Sequence, residues 1–217
     1  MRELRMGAVG VFVLGIASVC LAEQIKIGLV GYVESIDDPY SLLKNGVHQG
    51  DSITGFYLYD LNPDAYVYYA GAYKYTSTPY GMSLTLGGLT FQTDPTNVDF
   101  MISIVNGIPS GGSGDNYIVE SYNNLFLSND VHIERILWQL TDYSYTAISS
   151  EELPDVPPDL SAWQYDNFTV SGGRGGTPPC FDEIFQINGH VTSVYLIPEP
   201  ATLLLLGTGG LLLRKRR

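Results

Sequence analysis

The side chains with which this chain could do proton or covalent chemistry are few and far apart. Its histidines are His48, His132 and His190, and no two have the H-E-x-x-H spacing or any other that marks a metal site. His132 and Glu134 are two apart, so on a strand they share a face and could act as a base and its orienting carboxylate. A solvated cross-strand pair would use the same two residues. No G-x-S-x-G elbow is present, and Cys180 follows Pro178-Pro179 with no neighbouring group to lower its thiol pKa. Adjacent acids such as Asp37-Asp38 and Asp182-Glu183 suggest paired-carboxylate hydrolysis only superficially, because neighbours on a strand point to opposite faces. The glycine-rich stretches 110–114 and 172–176 lack the lysine of a phosphate-binding loop. The expectation is a non-enzymatic protein without a cofactor.

Binding chemistry is better represented. Of the 16 tyrosines several stand two apart, Tyr57 with Tyr59, Tyr66 with Tyr68, Tyr73 with Tyr75 and Tyr143 with Tyr145. On strands such pairs project from one face and could form an apolar platform rimmed by hydroxyls, on which a sugar ring stacks. Tyr57, Tyr68 and Tyr73 are the candidate carbohydrate contacts, and the competing use of the same rings is to fill the core. Acidic turns offer hard oxygen ligands for calcium at Asp60, Asp64 and Asp115, and at Asp94 with Asp99, but the spacing of an EF-hand loop is missing. Turn chemistry alone also places Asp beside Pro and Gly.

The elements that must carry these residues are strands. Short apolar or alternating runs at 25–33, 52–59, 66–75, 82–91, 100–105, 117–122, 131–140, 163–170, 183–187 and 190–197 are separated by turn-forming clusters. Met82, Leu84 and Leu86 alternate with Ser83 and Thr85, and Phe100, Ile102 and Ile104 mark another inward face. Asn188-Gly189 reads as the hairpin joining the last two strands. Strand spacing this regular, without long helical patterns, predicts an all-β fold, an antiparallel β-sandwich of jelly-roll type. The segment 142–161, DYSYTAISSEELPDVPPDLS, breaks the rhythm: Ser149 or Ser150 could cap one helical turn, and Pro154, Pro157 and Pro158 enforce an extended path laid across the sandwich.

Both ends read as export signals flanking a body at 23–197. Arg2 and Arg5 precede an apolar run at 7–21, and Ala22 suits signal peptidase, so residues 1–22 form the signal helix and the mature chain begins at Glu23. Val19 before Cys20 argues against a lipobox, which leaves Cys180 as the body's one thiol and excludes an internal disulfide there. At the other end Pro198, Glu199 and Pro200 precede an uncharged Leu-rich run at 201–213 and the cations Arg214, Lys215, Arg216 and Arg217. As a helix such a run covers roughly 20 Å, short of the about 30 Å hydrocarbon core, with the basic cluster held cytoplasmic. Between the signals the cations are Lys26, Lys44, Lys74, Arg135 and Arg174 against 21 carboxylates, a formal charge of −16. That balance argues against nucleic acid or anionic lipid as partners and favours solubility.

Motif, short span and basic terminus in this order resemble the PEP-CTERM sorting signal at 198–217. The body resembles the β-sandwich found attached to such tails, in GDSITGFYLYDLNPDAYVYYAGAYKY, YGMSLTLGG, GDNYIVES, ILWQLTD, LPDVPPDLSAW and NGHVTSVYLIPEP. The resemblance implies export in a Gram-negative-type bacterium, signal peptidase and an exosortase as processing partners, and transient membrane association. It implies delivery to the envelope, outer surface or extracellular matrix, with exopolysaccharide as a possible companion, and it brings no catalytic residues.

Overall fold

The computed structural model describes residues 24–61, 66–69 as backbone, 71–108, 114–127, 130–176 and 179–198. Eleven strands follow in chain order: β1 (Gln24–Asp37), β2 (Ser52–Asp60), β3 (Tyr66–Tyr69), β4 (Ala72–Tyr75), β5 (Gly81–Leu86), β6 (Leu89–Gln92), β7 (Phe100–Val105), β8 (Asp115–Ser121), β9 (His132–Asp142), β10 (Tyr165–Arg174) and β11 (Glu183–Leu196). Period-two patterning gives each its inward face. Ile25, Ile27 and Leu29 of β1, Met82, Leu84 and Leu86 of β5, and Ile136, Trp138 and Leu140 of β9 are all buried in one core.

The strands join into a single antiparallel sheet in the order β3-β4-β7-β8-β9-β10-β11-β1-β2-β5-β6. A sandwich of two separate sheets was expected, and here the two walls of the core belong to one sheet that curls over itself. Cumulative strand twist bends such a sheet, and bulges at Glu34 of β1, Thr192 of β11 and Glu134 of β9, opposite Ser171 and Gly172, sharpen the bend. The curl brings β2 across from β8, where the Tyr57 and Tyr117 hydroxyls meet at 2.9 Å. It also brings Thr93, just past β6, into a bridge with Asn124. The Thr93 and Ser121 hydroxyls share a hydrogen bond of 2.7 Å beside that bridge.

Three further expectations are corrected. The runs at 66–75 and 82–91 each divide into a hairpin, with Gly71 (φ 76°) and Gly87 (φ 55°) at their turns. At Gly71 a side chain would also run into the Ile104 carbonyl oxygen, so backbone freedom and close approach both require glycine there. Conversely, Asn188-Gly189 is no hairpin. Both lie inside β11, where Asn188 faces Thr169 and Ser35, and Gly189 faces Phe168 and Val33. The hairpin dipeptide needs positive φ, which neither residue has. Gly189 is there because a Cβ would sit 2.5 Å from Ile53 Cδ1 and 2.9 Å from the Tyr32 oxygen. Gly189→Ala is therefore expected to destabilise the protein by about 1–3 kcal/mol through overpacking, measured as a fall in urea midpoint with unchanged slope.

Nor do Ser149 and Ser150 begin a helical turn. The one short 3-10 turn in the 142–164 connection is Leu160–Ala162, where the Asp159 carboxylate accepts from Ser161 N–H at 3.0 Å. The expected signal helix and hydrophobic C-terminal helix lie outside the described residues. Among the described residues no helix is long and apolar enough to cross a membrane.

Candidate functional site

The concave side of the curled sheet is open between β2, β4 and β8, and the 142–164 connection lies across that opening as a strap. Two carboxylates hold its course. Asp142, at the end of β9, is buried and accepts from Ser144 N–H (2.9 Å) and Thr146 N–H (2.9 Å), with both hydroxyls also donating. Asp115, at the start of β8 and fully buried, accepts Ala147 N–H (3.0 Å) and Ile148 N–H (3.2 Å) on Oδ2, and Gly107 N–H (3.0 Å) on Oδ1. Further along, the Tyr73 hydroxyl donates to the Glu151 carbonyl at 2.9 Å, and the Tyr59 hydroxyl donates to the Pro154 carbonyl. Prolines at 154, 157 and 158 keep the strap extended, so it spans the mouth without strand pairing of its own.

What remains between strap and sheet is an open groove of about 1000 Å³. Its floor is Tyr73, Ile104 and Tyr117, its wall includes Trp163, and Asp155 and Asp159 stand among its strap residues. Aromatic faces beside carboxylates can hold a polyol by stacking and hydrogen bonding. Burial pushes the phenols of Tyr117, on the floor, and of Tyr59, which holds the strap at Pro154, well up from the ordinary value.

The hydroxyl and amide donors of Ser144 and Thr146 hold the Asp142 carboxyl well below the usual range. With its folded value below the unfolded one, the clamp contributes stability above about pH 4 and loses it as pH falls through the folded value. Thermal scans should show Asp142→Asn less stable than the parent at neutral pH, with the gap narrowing on acidification. An unchanged gap down to the acid limit would remove ionisation as the cause.

The predicted site residues scatter. Tyr57 is fully buried, stacked on Tyr59 with ring centroids 5.8 Å apart and tilted against Trp138. It is a core residue with no face for a sugar, because inward positions of β2 point into the curl. Tyr73 is half-buried at the groove, and the side chain of Tyr68 lies outside the described residues. Of the calcium candidates, Asp60 is buried and receives the Tyr80 hydroxyl at 3.1 Å, Asp115 is committed to three amides, and Asp64 lies outside the described residues. Asp94 accepts from its neighbour Thr96, and Asp99 pairs with Lys74 at 2.9 Å. Among the described residues no three acids, histidines or cysteines gather as a metal would require. Pro198 stands two residues past the end of β11. Glu199, Pro200, Arg214, Lys215, Arg216, Arg217, Ala22 and Glu23 lie outside the described residues.

His132 does not meet Glu134 as its partner. Its ring lies between Phe126 (4.8 Å, edge-on) and Phe181 (5.5 Å), with Nδ1 buried and unbonded among the described residues. Two other histidines do meet a carboxylate: His48 Nδ1 is 3.6 Å from Asp51 Oδ2 at the surface, and His190 Nδ1 is 3.4 Å from Asp166 Oδ2. Asp166 also accepts Trp138 Nε1–H at 2.9 Å and Val191 N–H at 2.7 Å. Burial pushes its carboxyl up, against the lowering pull of these donors and of His190.

Sequence reasoning missed the Asp142 and Asp115 clamps and the place of Trp163. One signal could have found the first. Asp94-x-Thr96, Asp142-x-Ser144 and Asp159-x-Ser161 all form the same turn, aspartate accepting the amide two residues on at 2.8, 2.9 and 3.0 Å. The Asp115 clamp reaches 32 residues along the chain and leaves no local trace.

Compared with known proteins, the chain matches no family model, no curated protein and no solved structure. The class defined by the coordinates is an all-β domain of one curled antiparallel sheet closed on its concave side by a strap.

Proposed function

We propose that the chain is an exported, non-catalytic cell-surface or matrix protein of a Gram-negative-type bacterium. It is processed by signal peptidase after Ala22 and sorted through Pro198-Glu199-Pro200 by an exosortase of the PEP-CTERM kind. The observation that carries the proposal is where the two tags attach. β1 starts at Gln24 and β11 ends at Leu196, and the two are paired neighbours with Ile27 opposite Leu196. Ile197 N–H still donates to the Lys26 carbonyl at 2.8 Å. The body therefore leaves for both signals from one end of the sheet, so a membrane enzyme could reach either junction from the same side. The basic cluster Arg214 to Arg217 stops transfer, and membrane association ends with removal of the tail.

Expression in a host with the matching sorting enzyme tests this. The expected product is exported and shortened at both ends, and replacing Pro198, Glu199 and Pro200 with Ala leaves the tail attached. Full-length wild-type product retained in the cytoplasm would sink the proposal.

A second reading is favoured by the groove. Trp163 and Tyr73 together could stack a sugar of the exopolysaccharide, with Asp155 and Asp159 accepting from its hydroxyls. This moves the carbohydrate site from the strand faces to the strap. Titration of the exported protein with host polysaccharide, with and without calcium, should show binding that Trp163→Ala abolishes. Equal binding by the variant, or none by the parent, removes this reading.

A further inference from the structure

The groove under the strap carries charge of one sign. Glu152, Asp155 and Asp159 stand among its lining residues, and no described lysine, arginine or histidine does. The body's cations are engaged elsewhere: Lys26 lies over the Phe56 ring at 3.6 Å, Lys74 meets Asp99 at 2.9 Å, Arg135 meets Glu120, and Arg174 meets Glu183 at 2.6 Å. Lys44 lines a separate cleft with Leu42, Leu43 and Leu89. Nor does the protein itself take up the three acids. Glu152 and Asp155 accept no side-chain hydrogen bond and join no ion pair among the described residues. Asp159 uses only Oδ1, which accepts Ser161 N–H (3.0 Å) and the Ser161 hydroxyl (2.8 Å), and these donors hold its carboxyl below the usual range. The tyrosines feel the same field: burial and then Glu152 and Glu151 push the Tyr73 phenol up.

The placing of the acids limits what they can hold. They are strung along the strap, and among the described residues no three acids gather as a metal ion would require. A point cation therefore finds no shell here, whereas positive groups carried at intervals on a polymer can meet the acids one by one. Trp163 and Tyr73 add ring faces, which attract cations as well as the C–H face of a sugar. The Tyr73 hydroxyl is already committed to the Glu151 carbonyl, while the Trp163 indole N–H has no partner among the described residues.

We infer that the groove binds a glycan bearing free, protonated amino groups, a hexosamine polymer whose nitrogens are not acetylated, in preference to neutral or acidic sugars. The inference rests on the carbohydrate reading of the groove and adds the charge of its ligand. A pyranose ring stacks on an aromatic face of the groove, a hydroxyl accepts from the Trp163 indole, and the ammonium groups donate to the strap carboxylates. An N-acetyl group puts a neutral amide where the ammonium stood, and a uronic acid brings a like charge against three carboxylates. At −16 the body also draws a polycation toward it and repels an acidic polymer. A glycan is favoured over a basic peptide because the two ring faces and the free indole donor suit a flat ring edged with hydroxyls.

The test titrates the full-length chain in mild detergent with two β-linked probes of equal length, a glucosamine oligomer and its N-acetylated form. The titration is run at about pH 6, where carboxylates with ordinary values near 4 are ionised. The amine form should bind about tenfold more tightly, the combined effect of several exposed ion pairs of modest strength. The double variant Glu152→Gln, Asp155→Asn should erase that preference without altering Tm, since both side chains are exposed and unpaired. Trp163→Ala should weaken binding of the amine form. Equal binding of the two oligomers by the parent, dependent on Trp163, would overturn the inference and leave the carbohydrate reading standing, and binding of neither would end both. A preference that survives the double variant, or amine-form binding undiminished by Trp163→Ala, would trace the attraction to the acidic surface at large and overturn the inference. Polylysine bound with the same dependence on Trp163 would overturn it by making the ligand a basic peptide. If Trp163→Ala does not fold, the ratio in the double variant still decides.

Discussion

Asp115→Asn is expected to lower stability by about 1–3 kcal/mol, because a buried donor left without an acceptor costs about that much and the better of the amide's two orientations strands one. The wild-type carboxylate accepts from Ala147 and Ile148 on one oxygen and from Gly107 on the other. An amide keeps one oxygen. Turned toward Gly107 it presents NH₂ to the two strap amides, and turned the other way it presents NH₂ to Gly107, so donors face donors in either orientation. For a domain of this size the loss corresponds to a fall in Tm of roughly 2–12 °C. A neutral amide oxygen holds the two strap amides less well than a carboxylate, so the strap should loosen before the sheet melts, its other ties being the Asp142 turn and two tyrosine hydroxyls. Limited proteolysis should cut the variant between 146 and 163 under conditions that spare the parent. Calorimetry showing an unchanged Tm, with the strap still protected, would mean that Asp115 is no clamp.

Trp138→Ala should be more damaging, by about 3–5 kcal/mol, the usual range for truncating a large buried aromatic. Trp138 is fully buried at the middle of β9 and touches Tyr57 and Tyr117, the two rings through which opposite walls of the curl meet. Its indole N–H is also one of the donors that make a buried Asp166 tolerable. Trp138→Phe separates these roles, since it keeps most of the packing and loses the donor. Asp166 already has its folded value raised by burial, and loss of the donor raises it further. The part of the Trp138→Phe penalty that comes from Asp166 is therefore fully present above the folded value and disappears once pH falls below the ordinary carboxylate value of about 4, leaving the smaller packing cost. Urea melts across this range should show the gap between variant and parent narrowing as pH falls. A penalty independent of pH would assign the whole effect to packing. The same variant leaves Trp163 as the remaining indole, so its fluorescence then reports on the strap and groove.

Most of the strand content was legible because a half-buried strand must alternate, and the alternation of Met82 to Leu86 or Phe100 to Ile104 survives in the folded chain as an inward face. The strap was legible too, since three prolines cannot pair in a sheet. The tyrosines were harder. Tyr57 and Tyr73 have the same local pattern, yet the first is sealed between two aromatic rings and the second lines a groove. Period-two spacing says which residues share a face, and it does not say whether that face turns toward protein or water.

Sequence by itself determined the all-β class, the extended strap, the acidic body and the export-like patterning of the two ends, because each follows from composition or from neighbours a few residues apart. Only the tertiary structure decided that one sheet curls over its own core. Only there does Asn188-Gly189 become a straight run of central strand, and does Asp115 hold residues 147 and 148. The physical reason is range: hydrogen-bond partners from 25 to more than 150 residues apart set these features, and no local propensity encodes which distant strand will be met.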